Sequence, residues 1–452
     1  MIKINYMIEN ILENKFELKD NLAFDFYEGI KSVSDFRIGA EIERISVLKD
    51  TFEAVPYVLV EQFLDFFASK YSWQKIKNHK NHTIALKKDG HFVHLEPGSQ
   101  IELSIAKTDD VHKAANFIMD FNKKSSELAE FFGFYTLGYG IQPLSCFNKI
   151  GVIPKNRYEI MTDYFIDKGD MAYVMMRETA GTQVTLDYSS EEDAMYKLRL
   201  GMFLAPVVSA MFSNSPVRGG QNTDYKSFRA KSWLYTDDYR CGFINNKLLN
   251  INEEFSFNDY VEALLDVPMI FVMRENKAFQ VNKIFREYLK DGSEGLFATM
   301  DDWRLHSNLF FPEVRLKGFL EFRNADAQKH YMNLALMAFY KGIFYDETAL
   351  KKTYSLFGNF SPSDFCKMRF LAPKYALNTE IKGVLLGDIA KDLILIAKES
   401  LQRQAALNES CQDESVYLYV SEALINQGET PADVLLRFCG DDIAKIIEYS
   451  KI

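Results

Sequence analysis

Carboxylate side chains recur at alternate positions in the runs of this sequence that favour β-strands. In the run 37–48, Glu41 and Glu43 alternate with apolar residues such as Ala40 and Ile42. Successive side chains of a strand point to opposite faces, so both carboxylates lie on one side and the apolar residues on the other. Such a strand needs an apolar core against one face and a partner for paired negative charge against the other.

Other predicted strands also carry polar or charged side chains. Glu96 and Glu102 flank one turn, Gln183 lies in another strand, and Glu321 and Arg323 lie in a further one. Like charges at close range cost free energy unless a cation compensates them, and hard carboxylate oxygens suit Mg²⁺. The alternative is that each strand simply exposes a solvated polar face, as antiparallel sheets commonly do. The pattern alone leaves both interpretations open.

Helical and strand patterns are interleaved along most of the chain. An amphipathic helix is predicted within 1–30, further helices at 58–70, 111–132, 158–168 and 191–212, and strands at 37–48, 83–87, 91–95, 100–105, 135–141, 181–188, 269–274 and 314–323. From residue 327 onward helical periodicity dominates. The interleaving favours one α+β catalytic body, residues 1–346, with a helical C-terminal region, residues 347–452, packed on it.

The charge and hydropathy of the chain exclude several classes of protein. Its 452 residues carry a net charge of −10, which argues against a nucleic-acid binder, because such binding depends on Lys and Arg neutralising phosphates. The longest apolar run, 201–212, is too short for a membrane span and contains Pro206. The N-terminal segment has no signal-peptide pattern, so a cytoplasmic protein is expected. Five scattered cysteines without a C-x-x-C pair favour reduced thiols.

Several enzyme motifs do not occur in the sequence. It has no P-loop, no G-x-G-x-x-G after a strand, no G-x-S-x-G elbow and no H-E-x-x-H. Any nucleotide must therefore be held in another way. The pairs His79/His82 and His91/His94 lack the spacing of a helical zinc site, so surface or packing roles are favoured for them.

The segment 213–246 is polar and long enough to be a functional loop, and it is predicted to be a lid. Its basic residues are Arg218, Lys226, Arg229, Lys231 and Arg240, and they lie among aromatic residues that include Trp233. The planar guanidinium of arginine suits carboxylate or phosphate, although a solvated basic loop is the alternative. An acidic sheet facing a basic loop is the arrangement expected for activating an anionic substrate with a magnesium nucleotide.

Several runs resemble the plant-type glutamate–cysteine ligase family, which occurs in plants and many bacteria. They are I-G-A-E-I-E-R (38–44), L-E-P-G-S-Q-I-E-L-S (95–104), P-K-N-R-Y-E-I-M (154–161), R-E-T-A-G-T-Q-V-T-L-D-Y-S-S-E-E-D (177–193), S-N-S-P (213–216), A-L-L-D-V-P-M (263–269), D-D-W-R-L-H (301–306) and F-P-E-V-R-L-K-G-F-L-E-F-R-N-A-D (311–326). The matches keep their order from residue 38 to about 346, which covers the predicted catalytic body.

The resemblance implies an antiparallel sheet curved into a funnel like that of glutamine synthetase, with helices outside. It also implies that ATP and Mg²⁺ are used to join the γ-carboxylate of L-glutamate to the amine of L-cysteine through a γ-glutamyl phosphate, the first step of glutathione biosynthesis. The expected partners are these small molecules, with no nucleic acid and no membrane, and the expected state is a monomer or homodimer.

The resemblance also implies roles for particular residues. Arg323 matches an arginine near the transferred phosphoryl group, Arg240 matches one that holds the α-carboxylate of glutamate, and Arg229 and Trp233 match the S-x-R-x-x-x-W pattern of the same loop. Gln183 matches a polar position near the metal and ATP. The residues that match acidic metal-site positions are Glu41, Glu43, Glu96, Glu102 and Glu321.

One departure from the family pattern bears on the acceptor. The family usually continues from S-N-S-P through Gly-Lys-Pro-Asn-Gly, whereas residues 217–226 differ here. This leaves open a γ-glutamyl ligase that uses another amino acid or amine. A separate alternative is a non-catalytic binder that retains only the fold, although the intact set of candidate ligands argues against it.

Overall fold

The computed structural model describes residues 21–78, 80–275 and 277–452. Most of the helix predicted within 1–30 lies outside the described residues, as does His79; within them, a helix spans Phe24–Glu28. No helix in the described part of the chain is long and apolar enough to cross a membrane.

Seventeen strands are present in the described residues. They are β1 (Ile38–Leu48), β2 (Gln74–Lys77), β3 (Thr83–Lys88), β4 (His91–Leu95), β5 (Ile101–Ser104), β6 (Phe134–Leu137), β7 (Gly181–Leu186), β8 (Val217–Arg218), β9 (Gln221–Asn222), β10 (Cys241–Gly242), β11 (Phe271–Arg274), β12 (Lys277–Gln280), β13 (Phe311–Pro312), β14 (Val314–Leu316), β15 (Leu320–Asp326), β16 (Glu380–Ile381) and β17 (Val384–Leu385).

Helices occupy much of the remaining chain. After Phe24–Glu28 the α-helices are Tyr57–Tyr71, Val111–Phe131, Asn156–Tyr164, Ala172–Glu178, Glu191–Met211, Phe228–Leu234, Asn246–Leu249, Phe257–Leu265, Phe285–Asp291, Met300–Asn308, His330–Phe344, Glu347–Leu356, Pro362–Tyr375, Leu386–Gln404, Tyr419–Asn426, Pro431–Cys439 and Ile443–Ser450. Short 3₁₀ turns span Val33–Asp35, Phe147–Lys149, Phe165–Asp167, Ala376–Asn378 and Glu414–Leu418.

The main sheet is open and antiparallel. Its strand order is β14-β15-β7-β1-β5-β4-β3-β2, and β6 pairs with the far end of β1. This arrangement confirms the predicted α+β fold, an antiparallel sheet surrounded by helices.

The apolar face of the sheet packs on helices, as the alternation of side chains predicts. Ile42, Leu103 and Val93 lie side by side across β1, β5 and β4 and are buried. Helix Glu191–Met211 approaches β15 closely at Gly201, where a Cβ would lie 2.8 Å from the Phe322 ring. The polar residues of the same strands are thereby directed to the opposite face.

The prediction of one continuous strand over 314–323 is wrong. It is a hairpin in which β14 turns back into β15 at Gly318, and this turn packs on Gly29, where a Cβ would come within 2.5 Å of the Gly318 Cα. The hairpin places Arg315 directly opposite Glu321. A period of two cannot reveal such a reversal, because the alternation continues on both sides of the turn.

The C-terminal helices contact the body at several places. Helix Leu386–Gln404 packs along helix His330–Phe344. In addition, the backbone amides of Lys226 and Ser227 both donate to the carbonyl of Pro373, at 2.9 Å each.

Candidate active site

The polar face of the sheet forms the floor of a cavity of about 410 Å³. This volume lies within the range of about 300–1,000 Å³ that is typical of small-molecule sites. The predicted site residues that line it are Glu41, Glu43, Glu96, Glu102, Gln183, Arg229, Trp233 and Arg323. Glu321 and Arg240 are not among its lining residues.

Strand register brings the carboxylates together. Glu43 on β1 lies directly opposite Glu102 on β5, and Glu41 lies opposite Gln183 on β7. Like charges directly opposite one another in an antiparallel pair are destabilising. Sequence alternation predicted that Glu41 and Glu43 share a face, and the register adds that Glu102 shares it too.

These buried carboxylates hold their protons more strongly than usual. Burial raises the pKa of Glu43 to about 7, an effect that Arg229 opposes and Glu96 reinforces. Burial also raises the pKa of Glu102 well above its ordinary value, and the neighbouring Glu41 adds to this effect. For Glu41, burial and then Glu321 raise the pKa. The protein therefore does not fully compensate the negative charge that these carboxylates carry when they ionise.

Cations occupy the other part of the same sheet face. Arg315, Lys317 and Arg323 come from the β14–β15 hairpin and line the cavity. Between them and the carboxylates lies Gln183, whose amide accepts from Arg323 Nη1 at 2.5 Å and donates to Glu43 at 3.3 Å. The sheet face thus runs from cations on β14 and β15, across a bridging amide on β7, to carboxylates on β1 and β5.

Glu321 forms ion pairs with these three cations and is not one of the carboxylates that line the cavity. Its Oε2 is 2.6 Å from Arg315 and 2.9 Å from Arg323, and its Oε1 is 2.9 Å from Lys317. Burial opposes ionisation, but the three cations hold the pKa of Glu321 below its ordinary value. Because both carboxylate oxygens are occupied by protein cations, the structure favours an anchoring role for Glu321 over the metal-ligating role implied by the resemblance.

Two hydrogen-bond donors at the cavity wall have no partner in the part of the chain that the structure describes. Arg229 Nε and Trp233 Nε1 are buried, and neither is hydrogen-bonded within the described residues. Arg229 Nη2 donates to the carbonyl of Arg323 at 3.2 Å. Buried donors are normally satisfied, so these two point to a ligand with acceptor atoms.

The segment that carries Arg229 is anchored by a buried carboxylate. Asp326 accepts hydrogen bonds of 2.7 Å from the amide of Asn214 and from the hydroxyls of Ser215 and Ser227. Ser215 Oγ in turn accepts from the amide of Arg229 at 3.1 Å. This half of the predicted lid is therefore a packed wall of the cavity, because its polar groups are tied to the sheet.

Arg240 is also part of the packed structure. Arg240 is 1% exposed, and each nitrogen of its guanidinium donates to the protein. The acceptors are Asp237 at 2.7 Å, the carbonyl of Leu309 at 2.8 Å, and the Tyr164 hydroxyl and Pro268 carbonyl at 2.6 and 2.7 Å. The structure does not place Arg240 at the cavity, so the role implied by the resemblance, holding the α-carboxylate of glutamate, has no geometric support.

Some cavity residues were missed by the sequence analysis. Arg315 and Lys317 lie at alternate positions in phase with Glu321 and Arg323, so the same alternation could have predicted that they share the polar face. Arg157 lies in the run P-K-N-R-Y-E-I-M and lines the cavity near Glu96 and Glu102. His94 also lines the cavity, and burial lowers its pKa to about 4, which keeps the imidazole neutral at pH 7.

The acidic residues fit a nucleotide-bound Mg²⁺ better than a metal held by protein alone. In residues 21–78, 80–275 and 277–452, no three His, Cys, Asp or Glu side chains converge as a metal site. Mg²⁺ at nucleotide sites commonly takes one or two carboxylates and completes its shell with phosphate and water. Glu41, Glu43, Glu96 and Glu102 line the cavity and carry oxygen atoms of the required kind.

Comparison with known proteins identifies the class and then the family. The chain shares its fold with a glutamate–cysteine ligase of Francisella tularensis solved in complex with AMP; the TM-score is 0.56 at 11% identity, over 93% of this chain and 88% of that one. Residues 37–448 match the family described as Glutamate-cysteine ligase family 2 (GCS2). The chain belongs to glutamate–cysteine ligase family 2.

Plant relatives agree with this assignment. The chain is 34% identical over 422 residues to the chloroplastic glutamate–cysteine ligase of Nicotiana tabacum, covering 92% of this chain and 79% of that protein. The corresponding protein of Arabidopsis thaliana is 32% identical with the same coverage. These relatives are named as chloroplastic, which contradicts the expectation of a cytoplasmic protein.

Proposed function

We propose that the chain is an ATP- and Mg²⁺-dependent ligase that joins the γ-carboxylate of L-glutamate to the amine of L-cysteine, the first step of glutathione biosynthesis. One observation carries the proposal: in a member of this family, a single cavity places the cations of β14 and β15 on the same sheet face as the carboxylates of β1 and β5. The AMP bound to the Francisella ligase supports the use of an adenine nucleotide.

The chemistry needs no nucleophile from the protein. A γ-carboxylate oxygen of glutamate bonds to the terminal phosphorus of ATP, the bond to ADP breaks, and γ-glutamyl phosphate results. The amine of cysteine then attacks the acyl carbon, phosphate leaves, and the nitrogen loses a proton. Catalysis consists of positioning the reactants and neutralising phosphate charge.

The cations of the hairpin are suited to the phosphoryl group. Arg323 and its neighbours Arg315 and Lys317 present positive charge at the cavity wall, and Glu321 holds them in place. Gln183 orients Arg323 through its 2.5 Å hydrogen bond and thereby contributes to the ATP site. Guanidinium groups fixed before the reaction stabilise developing negative charge without reorganisation.

The carboxylates and the unpartnered donors have separate tasks. One or two of the carboxylates Glu41, Glu43, Glu96 and Glu102 would hold a nucleotide-bound Mg²⁺, which would supply further neutralisation of the phosphates. Arg229 and Trp233 would bind a carboxylate of glutamate through the donors that have no partner in the described structure.

An acceptor panel tests the proposed function. We expect rapid ADP release only when glutamate and cysteine are both present, and slower release with 2-aminobutyrate in place of cysteine. The preference is modest, because a pocket distinguishes near-isosteric groups by only about 1–3 kcal/mol. Faster turnover with putrescine than with cysteine would contradict the assignment of the acceptor.

Arg229→Lys is expected to impair glutamate binding while leaving the KM for ATP nearly unchanged. Lysine keeps the charge but loses the planar pair of donors, which costs about 1.5–3 kcal/mol, or roughly 10- to 150-fold in kcat/KM for glutamate. Steady-state kinetics with each substrate varied in turn measure this effect.

Arg240→Lys is the matched control for this change. It removes hydrogen bonds to Asp237, Leu309 and Pro268, so we expect a lower melting temperature and an unchanged KM for glutamate. A rise in the KM for glutamate in Arg240→Lys alone would reverse the assignment of the two arginines.

A further inference from the structure

A second cavity, of about 180 Å³, lies where the C-terminal helices meet the sheet. Residues just beyond β6 and around 328–332 form one side, and the helices Tyr419–Asn426, Pro431–Cys439 and Ile443–Ser450 form the other. It shares no lining residue with the catalytic cavity. Its volume is many times the roughly 10–15 Å³ that one water molecule requires, so it has room for a small organic molecule.

Most of its wall is hydrocarbon. Met332, Val420, Leu424, Pro431 and Val434 all contribute carbon surface. A mostly apolar pocket with a few polar groups is the usual form of a small-molecule site. The polar groups therefore decide what kind of molecule it accepts.

Lys329 supplies a positive charge that no described side chain pairs with. Its ammonium makes no ion pair or hydrogen bond to the described residues, and it lies 4.8 Å from the centre of the Tyr449 ring. Burial lowers the pKa of Lys329, an effect that Glu448 partly opposes. Lys329 is partly buried, and a partly desolvated cation without a hydrogen-bond partner would attract an anionic ligand.

Ser450 supplies a second unsatisfied group. Its hydroxyl is buried and has no hydrogen-bond partner in the described part of the chain. Its backbone is fixed, because its carbonyl accepts from the amide of Gly138 at 2.9 Å. Buried hydroxyls are normally hydrogen-bonded, so this one also points to a ligand.

The lining restricts the charge of that ligand. The described residues that form the wall include no aspartate or glutamate, so no carboxylate of the wall would pair with an ammonium group. Amino acids, including the substrates proposed above, would place their ammonium near Lys329 without compensation. We propose that this cavity binds a small aliphatic monocarboxylate, with its carboxylate at Lys329 and Ser450 and its hydrocarbon against Met332 and Val434.

The proposal is tested on the full chain with 4-methylpentanoate and with leucine, which has the same carbon skeleton and an added ammonium. We expect saturable binding of 4-methylpentanoate by calorimetry, undiminished by saturating glutamate and MgATP, and at least about 10-fold weaker binding of leucine. Lys329→Met is expected to weaken the binding of 4-methylpentanoate about 10-fold or more, the usual effect of losing a charge-assisted hydrogen bond.

Two further variants keep the test specific. Val434→Phe, which adds a ring to the wall, should weaken binding without removing the charge. Lys445→Met, which removes an exposed lysine paired with Asp442, should leave binding unchanged. No saturable binding, equal binding by wild type and Lys329→Met, equally tight binding of leucine, or displacement by glutamate would each overturn the proposal, and none of these results bears on ligase activity.

Discussion

Glu43→Gln is expected to abolish ligation and, at the same time, to raise the melting temperature of the nucleotide-free protein at pH 8. The activity is lost because the variant removes a carboxylate from the proposed Mg²⁺ site. Deleting one preorganised electrostatic contact of this kind typically costs roughly 10²–10³-fold in turnover.

The gain in stability follows from the pKa of Glu43. Its value rises from 4.5 to about 7 in the folded protein, so between these values the folded state binds more protons than the unfolded state. Stability therefore falls as pH rises through this window, by as much as about 3 kcal/mol at pH 8. A glutamine at this position avoids the ionisation penalty and the repulsion from Glu102. It can accept only one of the two hydrogen bonds that the carboxylate accepts, and the lost bond costs about 1 kcal/mol.

Thermal denaturation at pH 5 and pH 8 measures this effect. Wild type should lose stability between the two values by more than Glu43→Gln does, and MgATP should stabilise wild type more than the variant. Glu347→Gln is the matched control, because that side chain is 81% exposed and should change neither activity nor melting temperature. Near-normal turnover of Glu43→Gln at saturating Mg²⁺ would contradict the metal assignment.

Glu321→Gln is expected to change stability in the opposite direction. It is as conservative as Glu43→Gln, but it leaves Arg315, Lys317 and Arg323 packed together without their shared counter-charge. Breaking a buried ion pair by removing one partner costs about 3–5 kcal/mol. Activity should also fall, because Arg323 loses one of the two side-chain acceptors that position it.

An added anion distinguishes this explanation from simple loss of packing. Inorganic phosphate should stabilise Glu321→Gln more than wild type, since it supplies negative charge to the cavity-lining cations that have lost their counter-charge. Denaturation with and without phosphate, compared with Glu43→Gln under the same conditions, measures the difference. A melting temperature for Glu321→Gln equal to or above that of wild type would show that Glu321 does not anchor the hairpin.

Local sequence was sufficient for the elements and for part of the site. The helix predicted over 191–212 spans Glu191–Met211, and it is capped by Ser190, whose hydroxyl accepts from the amide of Asp193 at 3.0 Å. Glu41 and Glu43 share a face of β1 because side-chain direction in a strand depends only on position along it. The motifs in order along 38–326 led to the family that the comparisons confirm.

Tertiary structure decided which charges meet. Alternation assigned Glu43, Glu102 and Glu321 the same kind of polar face, but strand order and register paired Glu43 with another carboxylate and Glu321 with Arg315. Arg240 and Arg229 belong to one basic segment, yet only Arg229 reaches the cavity, while Arg240 is buried among backbone carbonyls and Asp237. The physical reason is that the pKa and availability of a charged group depend on its neighbours in space, which come from strands and helices distant in the chain.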